Sequence, residues 1–294
     1  MSEALRALLH GVVDYAGLFP PAALDMPAAV REYDAYRTSA DAWMLGRFVV
    51  SVARLDEFGA ALEGVHPAGP APWAVSALAG PDIAGDVQRV RAFNAIVTNA
   101  AIDTLECKAV REEDIVAAAA FGHDEFVVFA ELPVSPDPAA LVRAVKRAGI
   151  HAKVRTGGVT AEAFPAPGDI VRFIRCCLDA GVPFKATAGL HHPIRGDFRL
   201  TYADDAPHGP MYGYLNVFLA AAFMAQGTSD ADAERIVTER DASAFTFAPH
   251  SVAWHGRQLD ASALASARQR VATSFGSCSF REPVDDLRLL GFLP

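Results

Sequence analysis

The chain has 294 residues, 52% hydrophobic and 21% charged, a balance that excludes a largely disordered polymer and allows a sizeable core. Its formal net charge of −9 comes with no dense Lys/Arg cluster, which argues against a nucleic-acid groove or an anionic membrane surface as partner. Small molecules remain, anionic ones included, because a few local cations dominate a pocket whatever the global charge.

The chain opens with MSEALRALLHGVV, which lacks a basic stretch followed by a long apolar one and is not read as a secretory signal. Short apolar runs then alternate with amphipathic ones, the pattern of parallel βα units. The expected strands are residues 12–15 (VVDY), 46–52 (GRFVVSV), 73–78 (WAVSAL), 102–107 (IDTLEC), 125–131 (EFVVFAE), 151–155 (HAKVR), 183–187 (PFKAT) and 244–247 (AFTF). Helices are expected at 27–36, with Pro27 in its first turn, at 137–148, stopped by Gly149, and at 168–180, with Asp169 as cap and Gly181 as stop. A 22-residue segment, 189–210, separates the seventh strand from an apolar helix near Met211; loops that long in compact domains are usually functional. That helix and the carboxy-terminal segment read as packing against the barrel, with an interface between copies (a homo-oligomer) as the alternative. The longest apolar run, 217–225, is shorter than the roughly 20 residues a spanning helix needs, so no membrane is expected as partner and the cytoplasm is the expected compartment. Cys107, Cys176, Cys177 and Cys278 show no CxxC spacing and read as free thiols.

Neither GxGxxG nor GxxxxGK[ST] follows the first strand, which disfavours an open doubly wound sheet. The expectation is one α/β domain, residues 1–294: a (β/α)₈ TIM barrel with a long loop after strand seven and a C-terminal extension. Active sites of such barrels lie at the carboxy ends of the strands, so polar residues there carry functional weight. Side chains alternate along a strand, which puts Lys153 and Arg155 on one face, with Thr156, Gly157 and Gly158 following as a turn suited to an anion. Lys185 and Thr187 share a face on the next strand, 32 residues after Lys153, and a neighbouring cation helps make an amine nucleophilic. Glu106 and Glu131 each close an apolar run and read as an acid/base pair, as divalent-metal ligands, or as salt-bridge partners of the lysines. Asp103 and Glu106 lie three apart and cannot both face inward on a regular strand. Asp14 reads as a first-strand carboxylate or a turn cap. His191 and His192 open the long segment and are candidates for proton transfer or binding, whereas His10, His66, His123 and His208 have no such placement. No histidine is near Cys278 in sequence, so it reads as an ordinary thiol.

The pair KVRTG…FKATAG, with the intervening IVRFIRCCLDAGVP, resembles the strand-six and strand-seven signatures of deoxyribose-phosphate aldolase and related class I aldolases. The resemblance covers about residues 100–190. It implies that Lys153 forms a Schiff base and that Lys185 tunes it, with Asp14 and Asp103 as matches for the family's aspartates on strands one and four. The sequence departs from the family at Arg155, Ala188, His191 and His192. The expected function is a lyase acting through an imine on a small carbonyl compound with an anionic group, without a cofactor. Catalytic roles are expected for Lys153, Lys185, Asp14, Glu106 and Glu131, and substrate contacts for Arg155, Thr156, Gly157, Gly158, Thr187, His191 and His192. The alternatives are a divalent-metal lyase or hydrolase using Glu106, Glu131 and a histidine, and a barrel that binds a small ligand without turnover.

Overall fold

In the computed structural model, which describes residues 2–65 and 71–294, eight parallel strands close into a barrel with helices between them. His66 lies outside the described residues. The strands are Val13–Tyr15, Leu45–Ser51, Trp73–Leu78, Ala100–Lys108, Val127–Leu132, His151–Arg155, Phe184–Thr187 and Ala272–Ser277. Consecutive barrel strands are neighbours, and the last closes the ring by setting Gly276 opposite both Asp14 and Thr187. The architecture is a TIM barrel.

Alternation along the strands divides the core into two zones. Tyr15, Phe48 and Trp73 point outward and join Tyr33 and Phe58 in an aromatic layer beneath the first helices, with Tyr33 and Trp73 4.8 Å apart and Phe48 stacked on Phe58 at 4.9 Å. The opposite faces supply Asp14, Ser76, Glu106, Lys153 and Lys185, all buried, so the barrel interior is polar where its outer shell is not.

Local chemistry sets the helix ends. Helix Met26–Arg37 begins at Asp25, whose carboxylate accepts the Ala28 N–H at 2.7 Å, with Pro27 in the first turn. Helices Ala139–Ala148 and Pro167–Ala180 stop at Gly149 and Gly181, which take left-handed φ of 69° and 62°. Asp169 is not the cap expected of it: the cap position is Ala166, and Asp169 pairs with Arg172 inside the first turn.

Two expectations need correction. Residues 244–247 do not form the eighth barrel strand; Phe245–Ala248 pairs with Ser251–Trp254, which pairs in turn with Arg257–Asp260, in a separate antiparallel sheet. The eighth strand is Ala272–Ser277, so the stretch read as a C-terminal extension completes the barrel and adds the final helix Arg281–Leu289. Phe245 and Phe247 imitate a barrel strand through their aromatic alternation, while ATSFGS has the small and polar residues that an active-site strand needs. The long segment after strand seven carries a hairpin, Gly196–Arg199 against His208–Met211, whose flanking Leu200 and whose Met211 wall the cavity at the barrel mouth. The helix beyond it, Tyr214–Ala225, is buried through Met224 and packs against Asp230–Thr238 and Ala261–Arg270, so its apolar run is core. Among the described residues no helix is long and apolar enough to cross a membrane.

Candidate active site

Strand register assembles the site. Glu131 lies opposite Lys153, and Lys153 opposite Lys185, so residues from strands five, six and seven meet at one level. Strand four reaches that level through a register shift: Val75 faces Ile102 but Ser76 faces Thr104, which leaves Asp103 as the extra residue. The shift turns Thr104 and Glu106 inward. Asp103 is instead held by the Arg47 guanidinium at 2.6 and 2.9 Å, away from the lysines, so the strand-four carboxylate among them is Glu106.

The inward groups form one alternating chain of charge. Lys185 Nζ donates to Asp14 Oδ2 at 2.7 Å and to Glu106 Oε1 at 2.6 Å. Lys153 Nζ meets Glu106 Oε2 and Glu131 Oε2, each at 2.8 Å, and Arg155 Nε approaches Glu131 Oε1 at 3.3 Å. Three carboxylates thus balance three cations. Two hydroxyls and one amide fill the remaining acceptor sites: Ser76 Oγ donates to Glu106 at 2.6 Å, Ser274 Oγ to Asp14 at 2.7 Å, and the Arg47 N–H to Asp14 at 2.8 Å. The lysine side chains are only 5% (Lys153) and 1% (Lys185) exposed, a depth at which unpaired charges would be prohibitive.

Burial and pairing oppose one another here, and pairing prevails. Burial pushes the Glu106 carboxyl up, but Lys153 and Lys185 together hold it well below the usual carboxylate range. Glu131 is also held low, with Lys153 and Arg155 outweighing its burial. Burial pulls Lys185 down, and Asp14 and Glu106 raise it above an ordinary lysine. Lys185 is therefore a fixed cation, with its ammonium also 5.5 Å from the centre of the Phe129 ring.

Lys153, Lys185 and Glu106 border a cavity of about 370 Å³ at the carboxy ends of the strands, where this fold carries its sites. Arg155, Gly157, Gly158, Thr187 and His191 also border it. The Arg155 side chain is 51% exposed, which leaves its guanidinium open to an incoming anion. The Thr156 hydroxyl does not face the cavity; it donates to the Ala188 carbonyl at 2.7 Å and ties the ends of strands six and seven together. The glycines have a packing cause as well. A Cβ on Gly157 would fall 2.4 Å from the Phe164 ring, and one on Gly189, at φ 71°, would fall 2.7 Å from the same ring.

The two histidines part company. His192 is stacked on Phe198 at 3.5 Å and bonded to Asp286 Oδ2 at 2.5 Å, away from the cavity wall. His191 faces the cavity with Nδ1 2.8 Å from Glu282 Oε2 and Nε2 4.0 Å from Cys278 Sγ. Burial lowers the His191 pKa, and Cys278 and Glu282 outweigh it, pushing the pKa up to about 10. All four cysteines are free thiols. Ser76, Ser274, Glu282 and Tyr202, whose hydroxyl donates to Glu282 Oε2 at 2.9 Å, are site residues that sequence reading missed. Ser76 had a signal, as the polar residue of an apolar strand; Ser274 and Glu282 were hidden by the misplaced eighth strand. Among the described residues no group of three or more His, Cys, Asp and Glu side chains is arranged to hold a metal ion, and Glu106 and Glu131 face ammonium groups rather than a histidine.

Fold and site together define a TIM barrel with a buried, charge-balanced lysine pair at the carboxy ends of its strands. No protein-family model matches the chain, and no curated protein matches it.

Proposed function

We propose that the protein is a lyase that binds a small anionic carbonyl compound and reacts with it through an imine on Lys153. The observation that carries this reading is the placement of Lys153: at the edge of the cavity, 2.8 Å from each of two carboxylates, with a second lysine sharing Glu106. Conversion of a lysine ammonium and a carbonyl to an iminium and water conserves the positive charge. Glu106 and Glu131 therefore stabilise the iminium where they now stabilise the ammonium, an environment prepared before the reaction begins. Forming the neutral carbinolamine requires Lys153 to give up a proton for a time. Glu106 borders the cavity and touches both ammonium groups, so it carries that proton and returns it when water leaves. Lys185, locked by Asp14 and Glu106, remains the neighbouring cation and favours electron flow from the breaking carbon–carbon bond into the iminium.

The resemblance of KVRTG…FKATAG to class I aldolases supports the same assignment of the two lysines. Arg155, half exposed at the rim, supplies the contact for the substrate's carboxylate or phosphate. Its replacement by Met should weaken binding of such substrates at least tenfold while leaving imine chemistry on uncharged aldehydes intact. The reading is tested without knowledge of the natural substrate by incubating the protein in D₂O with pyruvate, 2-oxobutyrate and dihydroxyacetone phosphate. Imine formation makes the α-protons exchangeable, and NMR follows their loss. Exchange with at least one compound, abolished by Lys153→Met and Lys153→Arg, is the expected result; exchange that survives both variants contradicts it.

A further inference from the structure

A second reactive constellation opens on the same cavity and has no part in the imine chemistry. Cys278 directly follows the eighth strand, His191 lies four residues after the seventh, and Glu282 is in the first turn of helix Arg281–Leu289. Cys278 and His191 border the cavity beside Lys185 and Thr187. The order of contacts is that of a nucleophile, its base and the group that orients the base: Cys278 Sγ 4.0 Å from His191 Nε2, and His191 Nδ1 2.8 Å from Glu282 Oε2. A fourth group completes it, since the Tyr202 hydroxyl donates to Glu282 Oε2 at 2.9 Å and lies 3.6 Å from the same sulfur. A buried structural cysteine needs none of these partners; Cys177, wholly enclosed in helix Pro167–Ala180, shows the ordinary case.

We propose that Cys278, His191 and Glu282 form a thiol centre that captures small aldehydes from the cavity as thiohemiacetals. The class of ligand rests on the proposed imine function, because an aldehyde carbon is the electrophile that an amine and a thiol in one cavity would share. In the addition the Cys278 sulfur forms a bond to the carbonyl carbon and the carbon–oxygen π bond breaks. The thiol proton passes through His191 to the new hydroxyl, so no oxidant or leaving group is needed. The elevated pKa of His191 accords with an imidazolium held beside the sulfur, and Glu282 keeps the ring aimed at it. The centre then holds an aldehyde partner in the cavity that Lys153 also borders.

The test uses the intact protein with glyoxylate labelled with ¹³C at its aldehyde carbon, and iodoacetamide as a thiol probe. Expected are a tetrahedral S–CH(OH) carbon signal absent from Cys278→Ser, and protection of Cys278 by glyoxylate with Cys176, a partly buried thiol, as internal control. Alkylation of Cys278 should fall at least tenfold in His191→Gln and severalfold in Glu282→Gln, with Cys176 unchanged. Lys153→Met should keep the thiohemiacetal signal, and Cys278→Ser should keep α-proton exchange, so the two readings fail separately. A tetrahedral signal that persists in Cys278→Ser, or Cys278 alkylation no faster than that of Cys176 and insensitive to His191→Gln, overturns the thiol centre.

Discussion

Lys185 is buried with two carboxylates, Asp14 and Glu106, at hydrogen-bond distance, and charge balance is the main term that makes that arrangement tolerable. Replacing it by Met leaves both carboxylates facing an apolar group. The expected cost is about 3–5 kcal/mol of folding stability, measurable by urea unfolding. Adding Asp14→Asn to the same chain should recover most of that loss, since it leaves Glu106 and Glu131 balanced by Lys153 and Arg155. Ser274→Ala removes only one neutral donor from Asp14 and should cost on the order of 1 kcal/mol. A larger loss for Ser274→Ala than for Lys185→Met would mean that hydroxyl positioning, and not charge pairing, holds the site together.

At the scale of elements, the ends of strands six and seven are set by a ring packed against glycines. Gly157→Ala would press on Phe164, and either the ring or the turn must move. The expected result is a loss of about 1–3 kcal/mol for overpacking, partly relieved in Gly157→Ala/Phe164→Ala, where a double-mutant cycle isolates the pair. Equal losses in both variants would assign the glycine to backbone freedom alone. These elements also show what the sequence could reveal. Strands two to seven were legible because hydrophobic alternation and turn signals agree, and Lys153, Lys185, Glu106 and Glu131 were legible because charge at the end of an apolar run is conspicuous. Strand eight was not, because Ser274 and Gly276 break the apolar pattern in order to bond Asp14 and to sit against Thr187. With that strand misplaced, the encounter of Cys278 with His191 could not be foreseen, for 87 residues separate them. The inward turn of Glu106 depends on the register shift at Asp103, which periodicity does not announce.

For the whole molecule, charge pairing predicts a pH profile of stability. Glu106 and Glu131 are held below their ordinary value of 4.5, so their contribution is complete above that pH and is lost as pH falls through the folded values. His191 is raised from 6.5 to about 10, so its contribution is complete below 6.5 and is lost as pH rises toward 10. Lys185, raised from 10.5, adds a second loss above that pH. Thermal unfolding should therefore show its maximum between about pH 5 and 6.5, and His191→Gln should flatten the decline between neutrality and pH 10.

The central claim, that Lys153 is the amine that reacts, is tested most directly by borohydride reduction in the presence of pyruvate or another compound whose α-protons exchange, followed by peptide mapping. The expected mass increment lies on the peptide carrying Lys153 and disappears in Lys153→Met. An increment on Lys185 alone, or none under conditions in which the compound turns over, would contradict it.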